Sequence, residues 1–133
     1  VEARDFIPAI VDPLLRTFDA HVAVNYAIDR LSVDRDQATP IALLVNEVVT
    51  NALKYAFPEG RRGKVEVRLE NRDGMATLTV SDDGVGLPEG FDVEDSPRMG
   101  LKLVQLLAEQ IRGRPIFSGG PGRGTSVRLT FIP

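Results

Sequence analysis

Two period-two stretches, "KVEVRLE" at 64–70 and "MATLTVS" at 75–81, constrain this chain most; they flank Asn71-Arg72-Asp73-Gly74. Strict alternation sends successive side chains to opposite faces of a strand, and Asp-Gly between two such runs closes a hairpin. One face of the hairpin is apolar, so the rest of the chain must cover it.

The remaining segments supply both more sheet and that cover. "HVAVNYAI" alternates Val22, Val24, Tyr26 and Ile28, and "RPIFS" and "TSVRLTFI" read as closing strands joined by a turn over 119–124. Phe6, Ile7, Ile10, Val11, Leu14, Leu15 and Phe18 recur at helical spacing, predicting a helix over the first twenty or so residues. Pro8 is expected in its first turn, while Pro13 is an awkward interior residue. Asp34 or Asp36 caps a second helix that continues through Ala56 until Pro58 stops it. A third helix is expected to turn Leu103, Val104, Leu107 and Ile111 to one side and to end at Gly113. The order helix, strand, helix, hairpin, loop, helix, hairpin predicts an α+β fold. It is a two-layer α/β sandwich with a mixed, mostly antiparallel sheet and helices on one face. The 133 residues fit a single domain, 1–133.

Charge and composition remove several function classes. A net charge of −3 and a pI near 5.2 argue against a general nucleic-acid binder. No cysteine means no disulfide framework and no thiolate metal site. The absence of cysteine is compatible with a cytoplasmic protein, and with no run of 18 apolar residues nothing here reads as a membrane span. The chain begins without Met, which suggests a piece of something longer.

The second helix has an unusual polar stripe. At about 100° per residue, Ile41, Val45, Val48, Val49 and Ala52 form one apolar stripe, while Glu47, Asn51 and Lys54 share the adjacent one. Taken as a plain solvent face, Glu47 and Lys54 add only a few tenths of a kcal/mol. Asn51 is a mediocre helix former, however, and its amide competes with the backbone. An amide oxygen beside a carboxylate suits Mg²⁺, and a lysine one turn on can neutralise a terminal phosphate.

The partner to that stripe is "VSDDGVGLP". A simple turn is one reading, and a calcium loop fails because Gly84 stands where a second oxygen ligand would be. In a third reading, Asp82 at the strand's end points an acceptor into a cavity, where a carboxylate suits the exocyclic amine of adenine. Gly84 and Gly86 would then let backbone approach a flat ring. Gly100, opening the third helix, would bring phosphate close to unpaired N–H groups; it could equally just end the loop. "GGPGRGTS" lacks the lysine of a P-loop and sits between strands, so a hairpin turn is the better reading.

Together the motifs resemble the ATP-binding domain of the GHKL superfamily: "NEVVTNALKYAF" its N box, "DDGVG" and "MGLKLV" its two glycine boxes, and "GRGTSVRLTF" its last motif. The line is most similar to sensor histidine kinases of the bacterial subfamily with a variant dimerisation domain and short lid. The resemblance implies a Bergerat-type fold and a protein-histidine kinase using ATP and Mg²⁺. It makes Asn51 a Mg²⁺ ligand, Glu47 the acid beside it, and Lys54 and Tyr55 contacts to the phosphates or base edge. It further implies that Asp82 binds adenine with Gly84, Gly86 and Thr125, and that Gly100 and Leu101 supply lid and phosphate contacts. The second box departs from the family's G-x-G, keeping one glycine in Met99-Gly100-Leu101-Lys102. The acceptor histidine would lie on an upstream dimerisation domain, and a response regulator would act downstream. His21, in a helix-to-strand junction, is expected to be structural or solvent-exposed. Three other readings are an anti-sigma-type serine kinase, a non-catalytic nucleotide-binding scaffold, and a gyrase-like ATPase, which needs a further lysine-bearing domain.

Overall fold

Asp73 and Gly74 both take positive φ, 52° and 77°, as the two central residues of a type I′ turn must. They join β2 (Gly63–Arg72) to β3 (Met75–Asp82) in register, with Leu69 opposite Leu78 and Val67 opposite Val80. The computed structural model describes residues 1–18, 21–58, 61–86 and 99–133, and of Met99 and Gly100 the backbone alone.

Three more strands extend the hairpin into a five-stranded sheet. β5 (Thr125–Phe131) pairs antiparallel with β3, and β4 (Arg114–Gly119) antiparallel with β5. β1 (Val22–Ile28) pairs parallel with β2, giving the order β1-β2-β3-β5-β4. The single parallel pair needs a crossover, supplied by the second helix. Val65, Val67, Leu69, Ala76, Leu78, Val80, Val127, Leu129 and Phe131 are buried on one face. Glu66, Arg68, Thr77 and Thr79 alternate with them on the other. There Arg68 pairs with Glu66 at 3.4 Å, an exposed contact worth at most about 1 kcal/mol.

Helices α1 (Ala3–Thr17), α2 (Arg35–Asn51) and α3 (Met99–Gln110) cover the apolar face. Asp34 is the N-cap of α2, its carboxylate accepting the Gln37 N–H at 2.9 Å. Ile41, Leu44, Val45, Val48 and Val49 are buried along α2. Full burial of each such side chain contributes about 1.5–3 kcal/mol, so this stripe anchors the two layers.

Three helical expectations are corrected. α1 already starts at Ala3, so Pro8 is interior, like Pro13, and not in the first turn. Burial of Ala3, Ile7 and Val11 offsets the backbone bonds the prolines remove. The stripe Val104, Leu107, Ala108 and Ile111 takes the buried face of α3, while Leu103, roughly 90° from its centre, is 40% exposed. Finally, the α-helix does not run through Ala56. It ends at Asn51, and Ala52–Ala56 form a π-helical turn.

Candidate functional site

The π-helical turn decides which side chains leave α2 toward the sheet. A π turn closes i→i+5 bonds, which corresponds to roughly 80° per residue instead of 100°. From Asn51, that winding keeps Tyr55 close to the same direction and swings Lys54 about a third of a turn away. Tyr55 accordingly lines a cleft between the helices and the sheet, whereas Lys54 is exposed and outside its walls.

The loop after β3 is fixed to the end of this turn. The Val85 N–H donates to the Ala56 carbonyl at 2.9 Å, satisfying one of the carbonyls that a helix end leaves without an internal partner. Gly84 lies so close to Ala56 that an added Cβ would sit 2.3 Å from its oxygen. Gly86, at φ 81°, bends the loop toward the β4–β5 turn, where a Cβ would meet the Gly120 oxygen. The Gly122 N–H closes the other side, donating to the Val85 carbonyl at 2.8 Å. The loop is thus clamped between helix and hairpin.

Asp82, the last residue of β3, accepts the Gly84 N–H at 2.9 Å and the Thr125 N–H at 3.3 Å on Oδ1. Both of these donors are backbone N–H groups, so the fold itself helps to orient the carboxylate. It lines the same cleft as Asn51, Tyr55, Gly86, Leu101 and Thr125. Counting the space open to solvent, the cleft is about 530 Å³. Its floor is one cross-strand row, Val80 opposite Val127 opposite Phe117, flanked by Val48 and Ala52 from above. An apolar floor with a carboxylate at one margin suits a flat, largely apolar ring carrying a hydrogen-bond donor.

Asn51 supplies the polar feature at the helix. Its Nδ2 is buried and without a hydrogen-bond partner. Leaving such a group unpaired costs about 1–3 kcal/mol. A half-turn of the amide exchanges nitrogen for oxygen, so this corner can present either a donor or a metal-ligating oxygen to the cleft. Among the described residues no group of three or more carboxylates or histidines gathers as a protein-built metal cage. A cation beside Asn51 would take its other ligands from water and phosphate, as Mg²⁺ commonly does.

The structure therefore gathers six of the ten expected site residues: Asn51, Tyr55, Asp82, Gly86, Leu101 and Thr125. Glu47 is half-buried one turn before Asn51, and Glu47, Lys54 and Gly84 are not part of the cleft wall. Gly100 lies in the first turn of α3, and the short lid expected ahead of it falls on residues 87–98, outside the described residues. His21 is exposed, as expected. Sequence reasoning missed Phe117. Its only signal was its place in a short alternating run, which does not say that β4 lies beside β5. No helix among the described residues is long and apolar enough to cross a membrane.

Comparison with known proteins identifies the family and the fold. The family model described as histidine kinase-, DNA gyrase B-, and HSP90-like ATPase matches residues 36–133. The sensor histidine kinase PdtaS of Mycobacterium tuberculosis is 34% identical over 113 residues, covering 84% of this chain and 23% of that protein. The chain thus spans about a quarter of that relative's length. The solved histidine kinase domain of the Erythrobacter litoralis EL346 blue-light activated histidine kinase superimposes with a TM-score of 0.85 at 31% identity. That match covers 94% of this chain and 62% of the other. The anti-sigma F factor of Bacillus velezensis is 27% identical over 124 residues, covering 84% of this chain and 80% of that protein.

Proposed function

Because the chain belongs to the histidine kinase-, DNA gyrase B-, and HSP90-like ATPase family, we propose that it is the cytoplasmic ATP-binding catalytic domain of a sensor histidine kinase. In this reading it transfers the γ-phosphoryl of ATP to a histidine on a separate dimerisation domain, from which a response regulator is phosphorylated. The observation that carries it is the convergence of Asn51 and Asp82 on one apolar-floored cleft.

Adenine lies on the Val80, Val127 and Phe117 row, its exocyclic amine directed at Asp82, with Thr125 and Gly86 beside it. Tyr55 borders the ring, and Gly84 holds the loop in place from behind. The phosphates extend past Asn51 toward the first turn of α3, where Gly100 and Leu101 offer backbone N–H groups. Asn51 fits a Mg²⁺ ligand through its unpartnered amide corner, with Glu47 as the neighbouring acid. When bound, Mg²⁺ would neutralise charge on the phosphates. Lys54, outside the wall, adds positive charge at the mouth. The protein's task is positioning and charge stabilisation, since phosphoryl transfer asks for little covalent chemistry from the enzyme.

The chain's match to most of an anti-sigma factor favours a second reading, a serine kinase of the same fold. Labelled ATP separates the two. Acid-labile label on a histidine-bearing dimerisation domain supports the first, and acid-stable label on a protein serine supports the second. No heat on titration with Mg-ATP would overturn both and leave a scaffold.

A further inference from the structure

The proposed base site has a charged acceptor at its margin, and that acceptor cannot choose among all bases. Asp82 takes a hydrogen from an exocyclic amine, and guanine presents a carbonyl oxygen at the same place. Cytosine, however, carries an exocyclic amine just as adenine does. The carboxylate by itself therefore treats these two alike. They differ in length, since adenine has two fused rings and cytosine one. What separates them must lie along the floor of the cleft, beyond the first ring.

That floor extends in one direction only. Asp82 stands two residues beyond Val80 on β3, so an amine held there points along the strand. In adenine the amine projects roughly at right angles to the line joining its two rings, and this line then runs across the strands. Among the described residues, the sheet's share of the cleft wall comes from β3, β5 and β4, with nothing from β1 or β2. With the first ring over Val80, the second can extend only over Val127 toward Phe117, two strand spacings or about 10 Å away. The three floor residues are unequally covered. Val80 and Val127 are each 3% exposed, whereas Phe117, on the edge strand, is half-buried. Its ring is the part of the floor with apolar surface left to give to a ligand.

On the premise of the ATP site proposed above, we infer that Phe117 is the residue that selects a purine over a pyrimidine. Adenine, with its amine on Asp82, meets the Phe117 ring with its five-membered ring. Cytosine held by the same amine stops short and leaves Phe117 in water. Guanine is long enough to reach Phe117 but sets a carbonyl oxygen against the Asp82 carboxylate. Uracil fails at both ends. Length is read at β4 and the amine at β3, and of the four bases only adenine satisfies both.

Calorimetry with ATP, CTP and the triphosphate of unsubstituted purine, each with Mg²⁺ and CTP read by competition, tests this on the parent and on Phe117→Ala. The parent should bind ATP more tightly than CTP. Phe117→Ala should weaken ATP about 10-fold, the scale of a lost base–aromatic contact, and leave CTP unchanged. Unsubstituted purine has the second ring but no amine. It should bind the parent less tightly than ATP does, yet suffer the same loss in Phe117→Ala. Phe117→Leu keeps a bulky apolar side chain in the fold and removes only the ring, so its ATP-to-CTP ratio should shift the same way, less far. A packing role alone would lower the melting temperature and leave that ratio where it was. A parent that binds CTP as tightly as ATP, or variants that lose ATP and CTP equally, overturns the role of Phe117 and leaves the ATP site standing. No heat from the parent with Mg-ATP overturns the site itself.

Discussion

Thr125 stands directly across the β3–β5 ladder from Asp82 and gives its N–H to that carboxylate at 3.3 Å. With the Gly84 N–H on the same oxygen, the fold fixes the direction of the acid before any ligand arrives. Asp82→Asn keeps an oxygen to accept both N–H groups but loses the charge. Its melting temperature should stay close to the parent's. Affinity for ATP, measured by calorimetry, should fall about 10- to 100-fold, the worth of a hydrogen bond to a charged acceptor. An unchanged affinity would remove Asp82 from the base site.

Asn51→Ala separates stability from function. The substitution deletes a buried amide whose Nδ2 has no partner, so the relief of an unpaired group offsets the lost contacts. Thermal melts of the nucleotide-free chain should show no loss of stability. Titrations with and without Mg²⁺ should show nucleotide binding retained and the metal dependence gone. A drop of several degrees would instead make Asn51 a structural residue.

Gly84→Ala should cost about 1–3 kcal/mol, the usual penalty for overpacking. Its Cβ would press on the Ala56 backbone, which has no freedom to yield. The urea midpoint should fall with its slope unchanged. Gly120→Ala is the control, since its Cβ meets nothing closer than 4.0 Å. Equal midpoints for the two variants would mean that the clamp yields.

Tyr26 sets an alkaline limit. Burial, then its hydrogen bond to Asp12 and the charge of that carboxylate, push the phenol above its ordinary value of 10.0. The hydroxyl donates to Asp12 Oδ1 at 2.6 Å. The unfolded chain loses this proton first, so the stabilisation is complete below pH 10 and is lost as pH rises beyond it toward the raised value. Tyr26→Phe should be less stable at neutral pH by about 0.5–1.5 kcal/mol and should lack this part of the alkaline decline. Parallel curves for both proteins above pH 10 would refute it.

The hairpin and layers were legible because alternation, Asp73-Gly74 and the apolar stripe of α2 all state the same answer. Asn51 and Asp82 could be singled out because each is an odd choice for its place, an amide inside a helix and an acid at a strand's end. The π turn could not be read. Ala52, Leu53, Lys54, Tyr55 and Ala56 are ordinary helix residues, and the turn they form ends at Ala56, whose carbonyl accepts the Val85 N–H. An even 100° spacing therefore placed Lys54 about 60° from Asn51, where the wider winding carries it about 120° away and outside the cleft wall. Leu103 was misjudged for a related reason: a helix with leucines on two sides does not say which side the sheet will claim.

The bond from the Val85 amide to the Ala56 carbonyl has a mechanical result. It welds the segment bearing the proposed magnesium ligand to the segment under the proposed adenine site, so neither can tilt without dragging the other. Loosening that weld should blunt discrimination among bases and weaken the grip on phosphate together, two losses usually traced to separate parts of an enzyme.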